Sequence, residues 1–183
     1  MDYRMRMLTA HRCQLRDLLS DTSREQACFL MCSVAHGSDE TILLVREVLP
    51  LDRADLRIHA PDQISVSPTA MLRIARRAQQ LGAAVCMVHT HPMCDGMVAF
   101  SSADDYGNLR TFEFFSRMLP GEAHSCLVWD GALECVAGRV YESPTRWWPL
   151  SKVEVVSGEH RSVHRDKVEQ PPHVRLAFDR QAR

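Results

Sequence analysis

The chain has 183 residues, 45% hydrophobic and 25% charged, with 22 Lys+Arg against 23 Asp+Glu for a net charge of −1. That is one domain's worth of chain with enough apolar material for a core, and its balanced charge offers no basic field to nucleic acid or an anionic membrane. No apolar run reaches the roughly 18 residues that span a bilayer, the N-terminus lacks the apolar block of a secretory signal, and seven cysteines fit reduced thiols of a cytoplasmic protein.

Met5, Leu8, Leu15, Leu18 and Leu19 fall near helical spacing and predict an amphipathic helix over 5–20. Residues 26–34 read as a buried strand, 36–39 as a turn and 41–48 as the returning strand of a hairpin. Residues 49–63 carry two prolines and mixed charge, an irregular excursion, and 64–66 add a short strand. Ser67-Pro68 supplies an N-cap and a first-turn proline for a helix over 68–81, burying Met71, Leu72, Ile74, Ala75 and Ala78 and stopping at Gly82. The central-strand run 85–88 leads directly into His89-Thr90-His91-Pro92. Leu109, Phe112, Phe115 and Leu119 share one face of a helix over 103–119. Strands over 125–129 and 132–140 join at Asp130-Gly131, a tight hairpin signal, and 152–156 is the last strand. The reading is an α+β domain over residues 1–156, a mixed, mostly antiparallel sheet flanked by helices. Residues 157–183 hold six Lys/Arg, four Asp/Glu and few large apolar residues, a polar linker or tail.

Chemistry concentrates in one stretch. Residues i and i+2 of a strand share a face, so His89 and His91 aim their rings at one point. Pro92 ends the ladder, and Asp104, at the start of the next helix, can return a carboxylate to that point. Two histidines, one carboxylate and an open fourth position describe a catalytic zinc site rather than a closed structural one. Other residues read as ordinary. Glu47 is a solvent-facing acid and Cys94 a loop thiol beside the site. Cys28, Cys32, Cys86, Cys126 and Cys135 are small core residues, Trp147-Trp148 covers a sheet edge, and His160 and His164 are solvated in the tail.

Glu25 ahead of the first buried strand, His89-x-His91-Pro92, a variable run and Ser101-x-x-Asp104 together resemble the signature of the JAMM (JAB/MPN-type) zinc metalloproteases. The resemblance spans about residues 5–156. Two departures are visible: Cys28 and Cys32 stand where the family often has glycines, and eight residues separate Pro92 from Ser101, an enlarged loop over 93–100. Ser102-x-x-Asp105 satisfies the same pattern. The Ser101/Asp104 register is preferred because Phe100 resembles the family's apolar position and because the loop stays shorter.

The resemblance implies an MPN/JAB-like (cytidine-deaminase-like) fold and one Zn2+ per chain, held by His89, His91 and Asp104 with water as fourth ligand. It implies Glu25 as the general base that passes the water's proton to the leaving amine, and Ser101 as a donor to the tetrahedral oxyanion. The implied substrate is the peptide or isopeptide bond after the C-terminus of a ubiquitin-like protein, with E1-like and E2-like enzymes as partners. Phe178-Asp179-Arg180-Gln181-Ala182-Arg183 looks like the opening of an E1-like domain, which makes 157–183 an inter-domain linker and, by analogy, suggests bacterial antiphage defence. Two other readings stay open: a zinc amidase or peptidase acting on another conjugate or carrier protein, and a non-catalytic MPN-type scaffold. The complete set Glu25, His89, His91, Ser101 and Asp104 argues against the scaffold.

Overall fold

Alternation decides the first element. In the computed structural model, which describes residues 2–94, 96–144 and 146–157, Met5 and Met7 are buried while their neighbours are less so, a period of two. Asp2–Leu8 is therefore strand β1, and helix α1 is confined to Thr9–Leu19. The expected helix over 5–20 is corrected accordingly. Chain order continues with β2 (Ala27–His36), β3 (Glu40–Pro50), a 3-10 turn (Arg53–Asp55), β4 (Leu56–His59), β5 (Ile64–Val66), α2 (Pro68–Leu81), β6 (Ala84–His91), α3 (Ser102–Met118), β7 (Ser125–Asp130), β8 (Val136–Ser143) and β9 (Arg146–Val156).

Seven of these strands close into a barrel in the order β1-β3-β2-β6-β7-β8-β9, and among the described residues β4 pairs only with β5. β1 runs parallel to both β3 and β9, and β6 runs parallel to β7; the remaining ladders are antiparallel. The expected α+β, MPN/JAB-like sheet flanked by helices is thus overturned by a closed, mixed seven-stranded barrel with three helices. The physical reason lies in β1. Its two free edges are what β3 and β9 need to satisfy their outer backbone groups, and reading it as helix leaves an open sheet. β9 is also longer than expected, because Trp147, Trp148 and Pro149 obscure the alternation of its first half.

The strands' two faces bury different partners. Met5, Met7, Leu30, Leu43, Val88 and Leu127 form one core with Leu15 and Leu19 of α1. The opposite face, with Phe29, Met31, Val85, Met87 and Cys126, packs against Met71, Ile74 and Ala78 of α2 and Phe112 and Phe115 of α3. α2 starts and stops where its caps dictate: Ser67 Oγ accepts the Ala70 N–H, and Gly82 takes the left-handed conformation at φ 54°. Leu72, expected in the core, faces outward.

The link from β7 to β8 is not the tight hairpin expected at Asp130-Gly131. Asp130 Oδ1 accepts the N–H groups of Glu134 and Cys135, Leu133 adopts φ 58°, and β8 begins only at Val136. Gly131 answers a different need, since a Cβ there would sit 2.6 Å from Pro92 O. Cys135 consequently lies in the connection and is half-buried rather than a core residue.

Among the described residues, no helix is long and apolar enough to cross a membrane. Residues 158–183, with His160, His164 and the E1-like run at 178–183, lie outside the described residues.

Candidate metal centre

The barrel's alternation delivers the histidines. Val85, Met87, His89 and His91 alternate onto the face covered by α2 and α3, so the apolar start of β6 anchors the strand and its last turn-out presents two imidazoles. β2 lies antiparallel beside it with Ala27 opposite His89. The pairing continues one step further: Thr90 N–H donates to Gln26 O (3.0 Å), and Gln26 N–H donates to Thr90 Oγ1 (2.9 Å). The next position is Glu25, opposite His91, with Oε1 3.8 Å from Nε2. Its own N–H donates to Ala60 O (3.1 Å), tying it to the loop after β4.

Asp104 arrives from α3 by helix capping. Ser101 Oγ accepts the Asp104 N–H (3.1 Å), while the Ser101 N–H and Oγ–H both donate to Asp104 Oδ2 (2.6 and 2.9 Å). This reciprocal box fixes the carboxylate. Oδ1 then lies 2.8 Å from His89 Nε2, and Oδ2 lies 3.2 Å from His91 Nε2. One ligand atom from each of His89, His91 and Asp104 falls within 4.8 Å of the others, a group that can hold a metal ion.

The donor chemistry fits such an ion. His89 Nε2 is buried and close to Asp104 Oδ1, yet the contact is out of hydrogen-bond alignment and the nitrogen has no hydrogen-bond partner among the described residues. A buried polar atom left so costs about 1–3 kcal/mol, and a cation shared with the carboxylate removes that cost. Two imidazoles and one carboxylate match the three-ligand sets that leave a coordination position open on zinc.

The electrostatics follow from burial and crowding. Burial pushes Asp104 up, but its contacts with His89, His91 and the Ser101 N–H overcome it and hold the carboxyl well below its usual range. His91 is raised, chiefly by its hydrogen bond to Asp104. Glu25, only 6% exposed, is pushed up to about 7 by burial; His91 pulls it down, while Asp104 and Asp62 push it further up. A carboxyl so poised can accept and release a proton near neutrality.

A cleft of about 570 Å³ adjoins these groups. Its wall includes Glu25, His89, Ser101 and Asp104, with apolar surface from Ile64 and Val66 of β5, Met71 of α2 and Phe114 of α3.

The other candidates are placed elsewhere. Asp105 points away, 64% exposed and 2.6 Å from Arg139 Nη1, so Asp104 and not Asp105 meets the histidines. Arg139 in turn lies between the rings of Phe100 and Trp147. Glu47 is paired with Arg77 at 2.7 Å. Cys94 follows β6 in a turn, its N–H donating to His91 O (3.1 Å), and is not part of the group that could hold a metal ion. Two residues beside the site were not read as part of it in the sequence. Cys126 is a core thiol, but its Sγ lies 3.9 Å from His89 Nδ1. Asn108, buried on α3, interacts with the same thiol. Asn108 had a legible signal, since it stands four residues after Asp104 and hence on the same helix face; Cys126 had none.

No family model and no curated protein matches the chain. Among solved structures, it is similar to the solution structure of a structural-genomics target protein from Desulfitobacterium hafniense, with a TM-score of 0.53 and 16% identity over 87% of this chain and 99% of that one. At that identity the likeness is one of fold alone.

Proposed function

We propose that the chain is a zinc-dependent hydrolase of peptide or isopeptide bonds that acts after the C-terminus of a ubiquitin-like protein. The observation that carries the reading is the convergence of a buried, near-neutral carboxyl, Glu25, on the His89–His91–Asp104 group. The order and spacing of these residues resemble the JAMM signature, and support comes from that set of side chains, not from the arrangement of the sheet.

His89, His91 and Asp104 would hold the zinc. A bound zinc ion supplies Lewis-acid polarisation of a carbonyl and lowers the pKa of a water from about 15.7 towards 7. Glu25 takes the proton of the attacking water on its carboxylate and delivers it to the leaving amine. Ser101 holds Asp104 through Oδ2 and lines the cleft; its one Oγ–H, donated to Asp104 here, would have to turn into the cleft to serve a developing oxyanion, leaving the Ser101 N–H on Oδ2. The open, partly apolar cleft suits an extended chain end better than an enclosed metabolite. E1-like and E2-like partners follow from the same resemblance.

The test is to load the full chain with zinc and offer it ubiquitin-like proteins extended at the C-terminus by a peptide or an isopeptide-linked lysine. Release after the terminal residue of the ubiquitin-like protein, slowed by about 10²- to 10⁴-fold in Glu25→Gln, is the expected result. A chain that takes up zinc but cleaves none of them overturns the substrate class. A chain that takes up no zinc overturns the centre.

A further inference from the structure

A histidine that ligates a metal through Nε2 carries its proton on Nδ1, and that N–H needs an acceptor to fix the ring. Carboxylates, backbone carbonyls and water usually serve. At His89 the group facing Nδ1 is the sulfur of Cys126, at 3.9 Å, buried beneath α3. Leu127 O, 3.8 Å from the sulfur, can take the thiol's single hydrogen, which leaves lone pairs for the ring when His89 carries its proton on Nδ1. On the α3 side stands Asn108, 3% exposed, interacting with the same thiol. Its Nδ2 has no hydrogen-bond partner among the described residues, so the amide is free to donate.

We propose that Cys126, backed by Asn108, is the positioning residue of the metal centre: its sulfur accepts the Nδ1–H of His89 and aims Nε2 at the metal, and the Asn108 amide donates to the same sulfur and holds it there. This inference rests on the metal-binding reading above. It assigns a role to a buried thiol and a buried amide that the hydrolytic reading does not use. The thiol touches neither substrate nor metal and acts only through His89. A thiol sulfur is a weaker acceptor than a carboxylate. His89 is therefore oriented with little added negative charge, and the centre depends on the fit of the sulfur against the ring.

The experiment measures zinc affinity by competition with a chromophoric chelator at fixed pH, using the full chain, alongside melting of the metal-free protein. Cys126→Val removes the acceptor at nearly constant volume and is expected to weaken zinc binding by about 10- to 100-fold. Cys126→Ser restores an acceptor and is expected to recover most of that loss. A thiol that only packs would shift the melting of the metal-free chain and leave zinc affinity at the wild-type value in both variants. That result overturns the inference. Should Cys126→Val fail to fold, Asn108→Ala reads the same contact from α3: weaker zinc binding supports the inference, and unchanged affinity overturns it. Wild-type chain that binds no zinc overturns the metal reading itself, whereas a zinc-loaded wild type with an indifferent Cys126→Val overturns only the role of Cys126.

Discussion

Glu25 stands opposite His91 across the antiparallel seam of β2 and β6, its Oε1 3.8 Å from the imidazole Nε2. Hydrophobic register holds them there. Sliding β2 by one residue would turn Phe29 and Met31 away from the α2–α3 face and put Cys28 and Leu30 in their place. The Gln26–Thr90 pair then carries that register one step past the buried strand, so the position of the carboxylate is set by a core it does not belong to.

Glu25→Gln keeps the shape of the side chain and removes its capacity to take a proton. Cleavage is expected to fall by about 10²- to 10⁴-fold, the usual worth of a general base, while zinc stoichiometry stays at the wild-type level. Parallel turnover and metal analysis read both. Loss of zinc together with activity would make Glu25 a ligand rather than a base.

The two overlapping Ser-x-x-Asp registers make opposite predictions. Asp104→Ala removes the carboxylate that both histidines face, so the melting increment given by zinc is expected to vanish. In wild type that increment is about 2.7 kcal/mol at a free zinc concentration 100 times the dissociation constant. Asp105→Ala removes an exposed carboxylate that pairs with Arg139, itself only 13% exposed, and is expected to keep the increment while costing about 1–3 kcal/mol of stability. Thermal melts with and without zinc distinguish them.

What could be read without the structure was local. The ends of α2 follow from Ser67, Pro68 and Gly82, all adjacent in sequence. His89 and His91 share a face because period-two alternation needs only three residues. Closure of the barrel was not legible, because it depends on β1 pairing with β3 and with a strand near the far end of the domain. Over seven residues, the alternation of Met5 and Met7 was outweighed by helix-spaced leucines, of which Leu15, Leu18 and Leu19 belong to α1 and Leu8 ends β1. Gly131 was misread for a related reason: an Asp-Gly pair signals a turn, and nothing in the sequence shows that Pro92 lies against it. Cys126 beside His89 likewise follows from the parallel β6–β7 ladder, in which Met87 aligns with Cys126, and no spacing encodes that.

Gly131→Ala tests the contact between that connection and the strand that carries His89 and His91. The new Cβ would meet Pro92 backbone, with O at 2.6 Å and Cα at 3.2 Å, neither of which can rotate away. Pro92 follows His91 directly, so relief of the clash displaces a proposed ligand. A loss of about 1–3 kcal/mol, typical of overpacking, is expected in denaturant unfolding, together with weaker zinc binding. Lost stability with wild-type zinc affinity would show that the end of β6 is insulated from this contact.

His124 predicts how stability depends on pH. Fully buried against Phe115, its Nδ1 accepts the Val85 N–H (3.1 Å), which leaves the proton on Nε2, 3.3 Å from Leu119 O. A second proton has no room, because Nδ1 already faces a donor. Burial holds its pKa down to about 4, against an ordinary value of 6.5. Between those values the unfolded chain binds the proton and the folded chain does not, so stability rises with pH across the window. The contribution is fully present above 6.5 and is lost as the pH falls through about 4, in total about 3 kcal/mol. Denaturant unfolding of the metal-free chain at a series of pH values reads the slope. His124→Gln, which cannot titrate, is expected to be less stable at pH 7.5 and to flatten the slope between pH 4 and 6.5 by up to one proton. An unchanged slope would assign the acid sensitivity to other groups.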